Sequence, residues 1–199
     1  VEEDYVMDPV KPTLDGEPSY EDIPYGLHDT LNGYWRGADI RRYAYWSVLA
    51  GGAGFTYGHN SVMQYYMPGD TGISFFPQQD WKKGIKAEAA EQMRHLKKLI
   101  GSYSYFDREP AQALIRQNGE KYDRIQAAKG KSYAFFYTYT GRNLDIETGK
   151  LGFIPGKASW FDPRTGLKKS VPGFKTGTSS FDPPGETKAG NDWLLILEK

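Results

Sequence analysis

Cysteine is absent from the 199 residues, so neither a disulfide framework nor a thiol nucleophile is available to this chain. The absence does not select a compartment, because secreted and periplasmic proteins also do without cysteine. Charge of one sign is missing as well: 25 Lys plus Arg balance 25 Asp plus Glu, which argues against nucleic acid or an anionic membrane surface as a global partner. No apolar run approaches the roughly 20 residues that cross a bilayer, and no signal peptide opens the chain. Histidine is scarce, with three isolated residues at 28, 59 and 95, so no metal site is expected. No glycine loop of phosphate-cradling form opens a helix, and no cofactor is called for.

Aromatic residues, by contrast, are plentiful. Fifteen Tyr and five Trp exceed what cores of this size need, and flat amphipathic rings are the usual platform for stacking on sugars, although a β-rich core would also use them. The stretch Lys11-Pro12-Thr13-Leu14-Asp15-Gly16-Glu17-Pro18-Ser19-Tyr20-Glu21 reads as a short strand with a carboxylate on its lip. Gly16 and Pro18 bracket Glu17, so neither helix nor strand runs easily through it. Carboxylates at the C-terminal ends of barrel strands are where sugar-cleaving enzymes keep their chemistry. Read by themselves, Glu17 and Glu21 are equally two solvated loop acids.

Downstream, Asp22 to Gly37 is irregular, and Asp39 opens a helix in which Ile40, Tyr43, Ala44, Ser47 and Val48 recur at helical spacing until Gly51-Gly52. Ala53 to Tyr57 reads as a second strand ending in the polar tip Gly58-His59-Asn60. A long aromatic loop, 61 to 80, leads into one helix from Trp81 to Ile100, striped by Ala89, Met93, Leu96 and Ile100. Strand, loop, helix, repeated, implies parallel strands with right-handed crossovers. After residue 106 the texture changes to period-two alternation. Strands are expected at 122–128, 132–139, 157–161, 167–171, 177–181 and 192–197, punctuated by Pro-Gly turns, which predicts a small antiparallel β-sandwich over 107–199.

Leu14-Asp15-Gly16-Glu17-Pro18-Ser19-Tyr20-Glu21, Asp39-Ile40-Arg41-Arg42-Tyr43-Ala44-Tyr45-Trp46 and Gly54-Phe55-Thr56-Tyr57-Gly58-His59-Asn60 together resemble the final third of the glycoside hydrolase family 140-like catalytic domain, also called the DUF4038 family. Trp160 to Gly166 and Phe181 to Gly185 resemble the accessory domain, labelled collagen-binding, that follows it in those proteins. The resemblance implies the C-terminal part of a (β/α)8 TIM barrel over 1–106, with residues 11–17 as its seventh strand and 54–57 as its eighth. It also implies a retaining mechanism in which Glu17 is the nucleophile. The strand that would carry the acid/base carboxylate lies outside these residues, and the chain opens on Val1 without a methionine. The expected protein is therefore longer, with an N-terminal remainder of the same polypeptide as partner, and the segment alone is expected to be inactive.

The substrate implied is an oligo- or polysaccharide, of plant-type or other complex glycans, handled in the periplasm, at the cell surface or outside the cell. Candidate binding residues are Asp15, Tyr20, Glu21, His28, His59, Asn60 and Tyr65. For Asp15 a structural role stands beside sugar binding, and Glu21 is the rival to Glu17. For His59 and Asn60 the bland alternative is loop ordering. Arg41 and Arg42 are read as pairing with neighbouring acids, and His95 as solvated. The contrasting reading of the whole chain is a non-catalytic carbohydrate- or polymer-binding module.

Overall fold

The computed structural model describes residues 1–199. A short helix, α1 (Glu2–Tyr5), precedes β1 (Leu14–Asp15), α2 (Gly37–Leu49) and β2 (Gly54–Phe55). The two strands pair in parallel, Leu14 opposite Gly54 and Asp15 opposite Phe55, with α2 as the crossover. Asp39, at the third helical position of α2, accepts a hydrogen bond from the Arg36 amide (3.1 Å), a carboxylate at the positive end of the helix. Gly51 ends α2 at φ +100°, and a Cβ there would lie 2.3 Å from the Tyr5 ring, so conformation and close approach both demand glycine.

Two further short helices, α3 (Asn60–Met63) and α4 (Trp81–Gly84), lead to the longer α5 (Glu88–Gly101). The single helix expected from 81 to 100 is thus broken at 85–87. Gly84 is pressed against Ser61 Oγ and His59, leaving no room for a side chain, and the chain re-enters helix only after Ala87 adopts an extended conformation. The break turns the first amides of α5 toward the end of the β1–β2 pair.

The C-terminal half holds β3 (Glu109–Pro110), β4 (Ile125–Lys129), β5 (Tyr133–Thr138), β6 (Leu144–Asp145), β7 (Lys157–Phe161), β8 (Lys168–Ser170), β9 (Ser180–Phe181) and β10 (Trp193–Glu198). Six of these form one antiparallel sheet in the order β3-β4-β5-β10-β7-β8, and β6 pairs with β9 separately. The expected sandwich is therefore lopsided: one large sheet is backed by a two-stranded ribbon and by short 3-10 turns. Residues 122 and 123, expected in strand, fall in one such turn (Lys121–Asp123), while β3 and β6, each two residues long, carry too little alternation to be read from sequence.

The large sheet is buried on both faces. Ala134, Phe136, Leu195 and Leu197 join Trp160, Leu144 and Ile146 in the inner core. Their alternate neighbours Tyr133, Phe135, Tyr137, Leu194 and Ile196 pack on Ala44, Tyr45, Val48 and Leu49 of α2 and Leu96, Leu99 and Ile100 of α5. A strand with two buried faces reads as a near-continuous apolar run, which is what Tyr133-Ala-Phe-Phe-Tyr137 and Trp193-Leu-Leu-Ile-Leu197 are. Helix α2 in turn is buried nearly all round and not on one face as its spacing suggests, because the strand pair covers one side and the sheet the other.

Candidate active site

Beyond Asp15 and Phe55 the two strands separate and meet again at a parallel bridge between Glu21 and His59. Five residues, Gly16 to Tyr20, lie opposite three, Thr56 to Gly58, between those two points. The surplus bulges outward, and Glu17 stands exposed on it. Bulges of this kind re-aim a side chain at the rim of a sheet. Glu17, Ser19, Tyr20, Ile23, Leu27, Trp35, Met63 and Phe75 line a cavity of about 330 Å³.

Glu21 occupies a different environment. It is 8% exposed, and its carboxylate accepts a hydrogen bond from the Tyr57 hydroxyl (2.7 Å). Burial raises its pKa, partly opposed by the Tyr57 hydroxyl and by the backbone amide of Ala89 at the start of α5. Burial and the neighbouring Glu21 charge likewise push the Tyr57 phenol well above its ordinary value. No residue caps α5 from within its own segment, and Glu21 serves its first turn from a distance. Glu21 therefore fastens α5 to the strand ends, leaving Glu17 as the accessible carboxylate.

The polar tip of the second strand is also spent on structure. His59 is 2% exposed; Nδ1 contacts the Ser61 hydroxyl (3.0 Å) and Nε2 the Gln79 amide (3.0 Å), and burial lowers its pKa. Asn60 is fully buried and donates to the carbonyls of Asp22 and Phe75, both at 2.7 Å, while its own carbonyl accepts from Gln64 (2.7 Å). Asp22, 3% exposed, accepts from Arg36 (3.3 Å) and from the Gln78 amide (3.1 Å). These bonds hold the loop that carries Phe75 against the loop that carries Trp35. His59 and Asn60 thus take the loop-ordering role and build a wall of the cavity without facing it.

Asp15 turns away from Glu17: its carboxylate accepts from the Ser47 hydroxyl of α2, and it lines a separate cavity with Trp46 and Ser47. Tyr20 is half-buried with its ring against Gly58 and lines the Glu17 cavity. His28 is exposed, its ring 5.4 Å from that of Phe75. Tyr65 is 72% exposed and meets Trp81 edge-on, outside the cavity. No group of three or more His, Asp and Glu side chains is arranged to hold a metal ion.

The family model described as "Apiosidase-like, catalytic domain" matches residues 1–107, the region that carries this strand end and its cavity. The chain belongs to the Apiosidase-like family. The model described as "Putative collagen-binding domain of a collagenase" matches residues 110–198. Among solved structures, one titled "Glycoside hydrolase" is 40% identical with a TM-score of 0.91, covering 97% of this chain and 43% of that one. A glycoside hydrolase family 5 structure from Bacteroides vulgatus is 38% identical with a TM-score of 0.91, covering 97% of this chain and 42% of its own. The chain therefore spans less than half the length of these relatives. No curated protein matches it.

Within the Apiosidase-like region, sequence reading passed over two residues that shape the site: Tyr57, which holds Glu21, and Phe75, which walls the cavity together with Trp35, an aromatic that the sequence offers as a stacking candidate. Trp35 was visible as an aromatic in an irregular loop, whereas nothing local marks Phe75. The contacts that place Phe75 come from Asn60 and Gln64, more than ten residues away or reaching across the loop. Arg42 pairs with Asp39 (3.2 Å) as expected of neighbours, but Arg41 does not stay local. It makes two bonds, 2.9 and 2.7 Å, to fully buried Asp192 at the start of β10. Burial alone would lower the Arg41 pKa, but the Asp192 carboxylate outweighs it and raises it. His95, expected to be solvated, is half-buried against the Gly166 turn, and burial with Arg94 nearby lowers its pKa.

Proposed function

We propose that the chain is the C-terminal part of a retaining glycoside hydrolase of the family 140-like type, with Glu17 as the nucleophile. The observation that carries this reading is the exposed Glu17 carboxylate, lifted on a bulge at the C-terminal end of a parallel strand beside an aromatic-lined cavity. A Glu17 oxygen would attack the anomeric carbon as the glycosidic bond breaks, and the leaving oxygen would take a proton from a second carboxyl group. Water would then release the sugar from the Glu17 ester. The two carboxyl groups of such a pair lie about 5 Å apart, and Glu21 is committed to Tyr57 and α5. The partner is therefore assigned to a strand outside these 199 residues. Apolar Leu14, 61% exposed on β1, and the relatives' greater length support that assignment.

The substrate is a neutral part of a complex glycan, of plant type on the family resemblance, and the enzyme works in the periplasm, at the cell surface or outside the cell. The family's printed name points to apiose as the sugar released by its namesake. The C-terminal β unit acts as a structural support, since one face of its sheet is consumed by α2 and α5. In the longer polypeptide, Glu17→Gln should abolish release of reducing sugar while glycan binding persists, whereas Glu21→Gln should leave turnover measurable. Unaltered turnover in Glu17→Gln would remove Glu17 from the chemistry and favour the binding-module reading.

A further inference from the structure

Trp35, on the wall of the Glu17 cavity, is held in place from the β unit. Its ring is clamped edge-on between those of Tyr25 (4.4 Å) and Tyr43 (5.5 Å), and its backbone bonds to Ile23 and Asp22, both at 2.9 Å. Behind the clamp stands Asp39, and its two oxygens serve different parts of the chain. Oδ2 accepts from the Arg36 amide (3.1 Å), next to Trp35, and from the Tyr25 hydroxyl (3.5 Å). Oδ1 accepts from Arg42 Nη1 (3.2 Å) and from the hydroxyl of Tyr139, which directly follows β5 (3.3 Å).

Arg42 joins the same parts through ring faces. Its guanidinium carbon lies 4.8 Å from the centre of the Tyr43 ring, 4.4 Å from that of Tyr122 and 4.8 Å from that of Tyr139. Asp39, Arg42 and Tyr139 are already buried by residues of this chain, so the remainder of the polypeptide does not decide their arrangement. A buried ion pair adds little stability over apolar residues of the same volume, and Arg42 Nε is buried without a hydrogen-bond partner. What the pair supplies is direction, since charge-assisted hydrogen bonds fit one placement of helix, loop and β unit.

We infer that Tyr139 and Tyr122 are positioning residues of the active site: through Asp39 and Arg42 they fix the Trp35 ring, so that the β unit sets the affinity of a cavity it does not line. This coupling carries function only on the reading of the Glu17 cavity as the active site. It is independent of the cavity's size and of what else lines it.

The longer polypeptide, labelled with fluorotryptophan, tests this through the fluorine resonance of Trp35, assigned by its loss in Trp35→Phe. Tyr139→Phe keeps the ring on Arg42 and removes only the bond to Asp39, so that resonance should shift or broaden. On a solubilised plant cell-wall glycan the same variant should raise the half-saturating concentration about threefold, the scale of one lost hydrogen bond, with kcat within about twofold. Adding Tyr25→Phe should cost little more than Tyr25→Phe alone, because both variants cut one chain of contacts. Tyr133→Phe is the control: it loses a hydroxyl bond from the β unit to the Ser104 carbonyl (2.7 Å) and should lower the unfolding temperature comparably while moving neither readout. A Trp35 resonance unmoved by Tyr139→Phe, an equal response to Tyr133→Phe, additive losses in the double variant, or a fall in kcat with half-saturation unchanged overturns the positioning role. Turnover that survives Glu17→Gln, or none by the unaltered polypeptide, overturns the reading of the site instead, and the Trp35 resonance still decides the coupling.

Discussion

Two glutamates four residues apart have opposite fates, and the difference lies in what surrounds them. Glu17 rides on the two surplus residues of the bulge, while Glu21 sits on the ladder, where Tyr57 and the first turn of α5 claim it. Glu21→Ala should leave the Tyr57 hydroxyl and the Ala89 amide without their acceptor, costing about 1–3 kcal/mol in denaturant unfolding. Glu21→Gln should cost less, because an amide still accepts from Tyr57. The raised Glu21 pKa means the folded protein holds that proton above the ordinary 4.5, so its contribution to stability falls as pH rises through the window just above that value. His59 has the reverse sign. Its lowered pKa makes the unfolded chain the better proton acceptor, so stability is lost as pH falls from the ordinary 6.5 through the folded value. Thermal unfolding between pH 7.5 and 5 should show that decline, shared with His95, and a shallower one in His59→Gln. Sequence made the strand-end carboxylate and the polar tip visible as residue types. It left open whether each faced a ligand or its own loop, since Asp15, His59 and Asn60 are decided by partners such as Ser47, Gln79 and Phe75 that local spacing does not bring near.

At the scale of elements, α2 is the crossover of the strand pair and also the lid of the large sheet. Its Arg41 reaches across 151 positions of sequence to Asp192, which also accepts from Tyr137 (3.1 Å), while the Tyr45 and Tyr137 rings stack at 4.7 Å. Removing one partner from such a buried pair leaves an uncompensated charge, so Arg41→Met should destabilise by about 3–5 kcal/mol. The double variant Arg41→Met with Asp192→Leu should recover most of the loss; a double variant no better than the single would show that the pair is not the cause. The helices were legible from recurring apolar residues at helical spacing, and the long strands β5 and β10 from short, nearly continuous apolar runs bounded by turns. The break at 85–87 was not, since its cause is the approach of Ser61 and His59 to Gly84. Gly84 itself was the only local signal.

At the scale of the whole molecule, the chain has two apolar cores, one inside the β unit and one shared between that unit and the helices. The join between the two parts is wider than the aromatic helix end Tyr103 to Phe106. Tyr103 does reach Glu198 (3.0 Å), but Phe106 is 96% exposed and the seam runs along α2 and α5. Deleting residues 107–199 should therefore strip cover from Tyr45, Val48, Leu49, Leu96, Leu99 and Ile100 and abolish cooperative unfolding by circular dichroism, with a gain in apolar dye binding. The intact chain should unfold in one transition seen alike by far-ultraviolet and tryptophan signals, and two separated transitions would contradict a shared core. By itself the sequence determined the switch from helical to alternating texture near residue 107, the order of most elements, and a carboxylate delivered at a strand end, because these follow from local period and turn chemistry. Only the tertiary structure decided which of Glu17 and Glu21 meets solvent, which rings wall the cavity, and that Arg41 belongs to the β unit. Those outcomes depend on burial and hydrogen-bond partners drawn from distant parts of the chain, which no local window of residues contains.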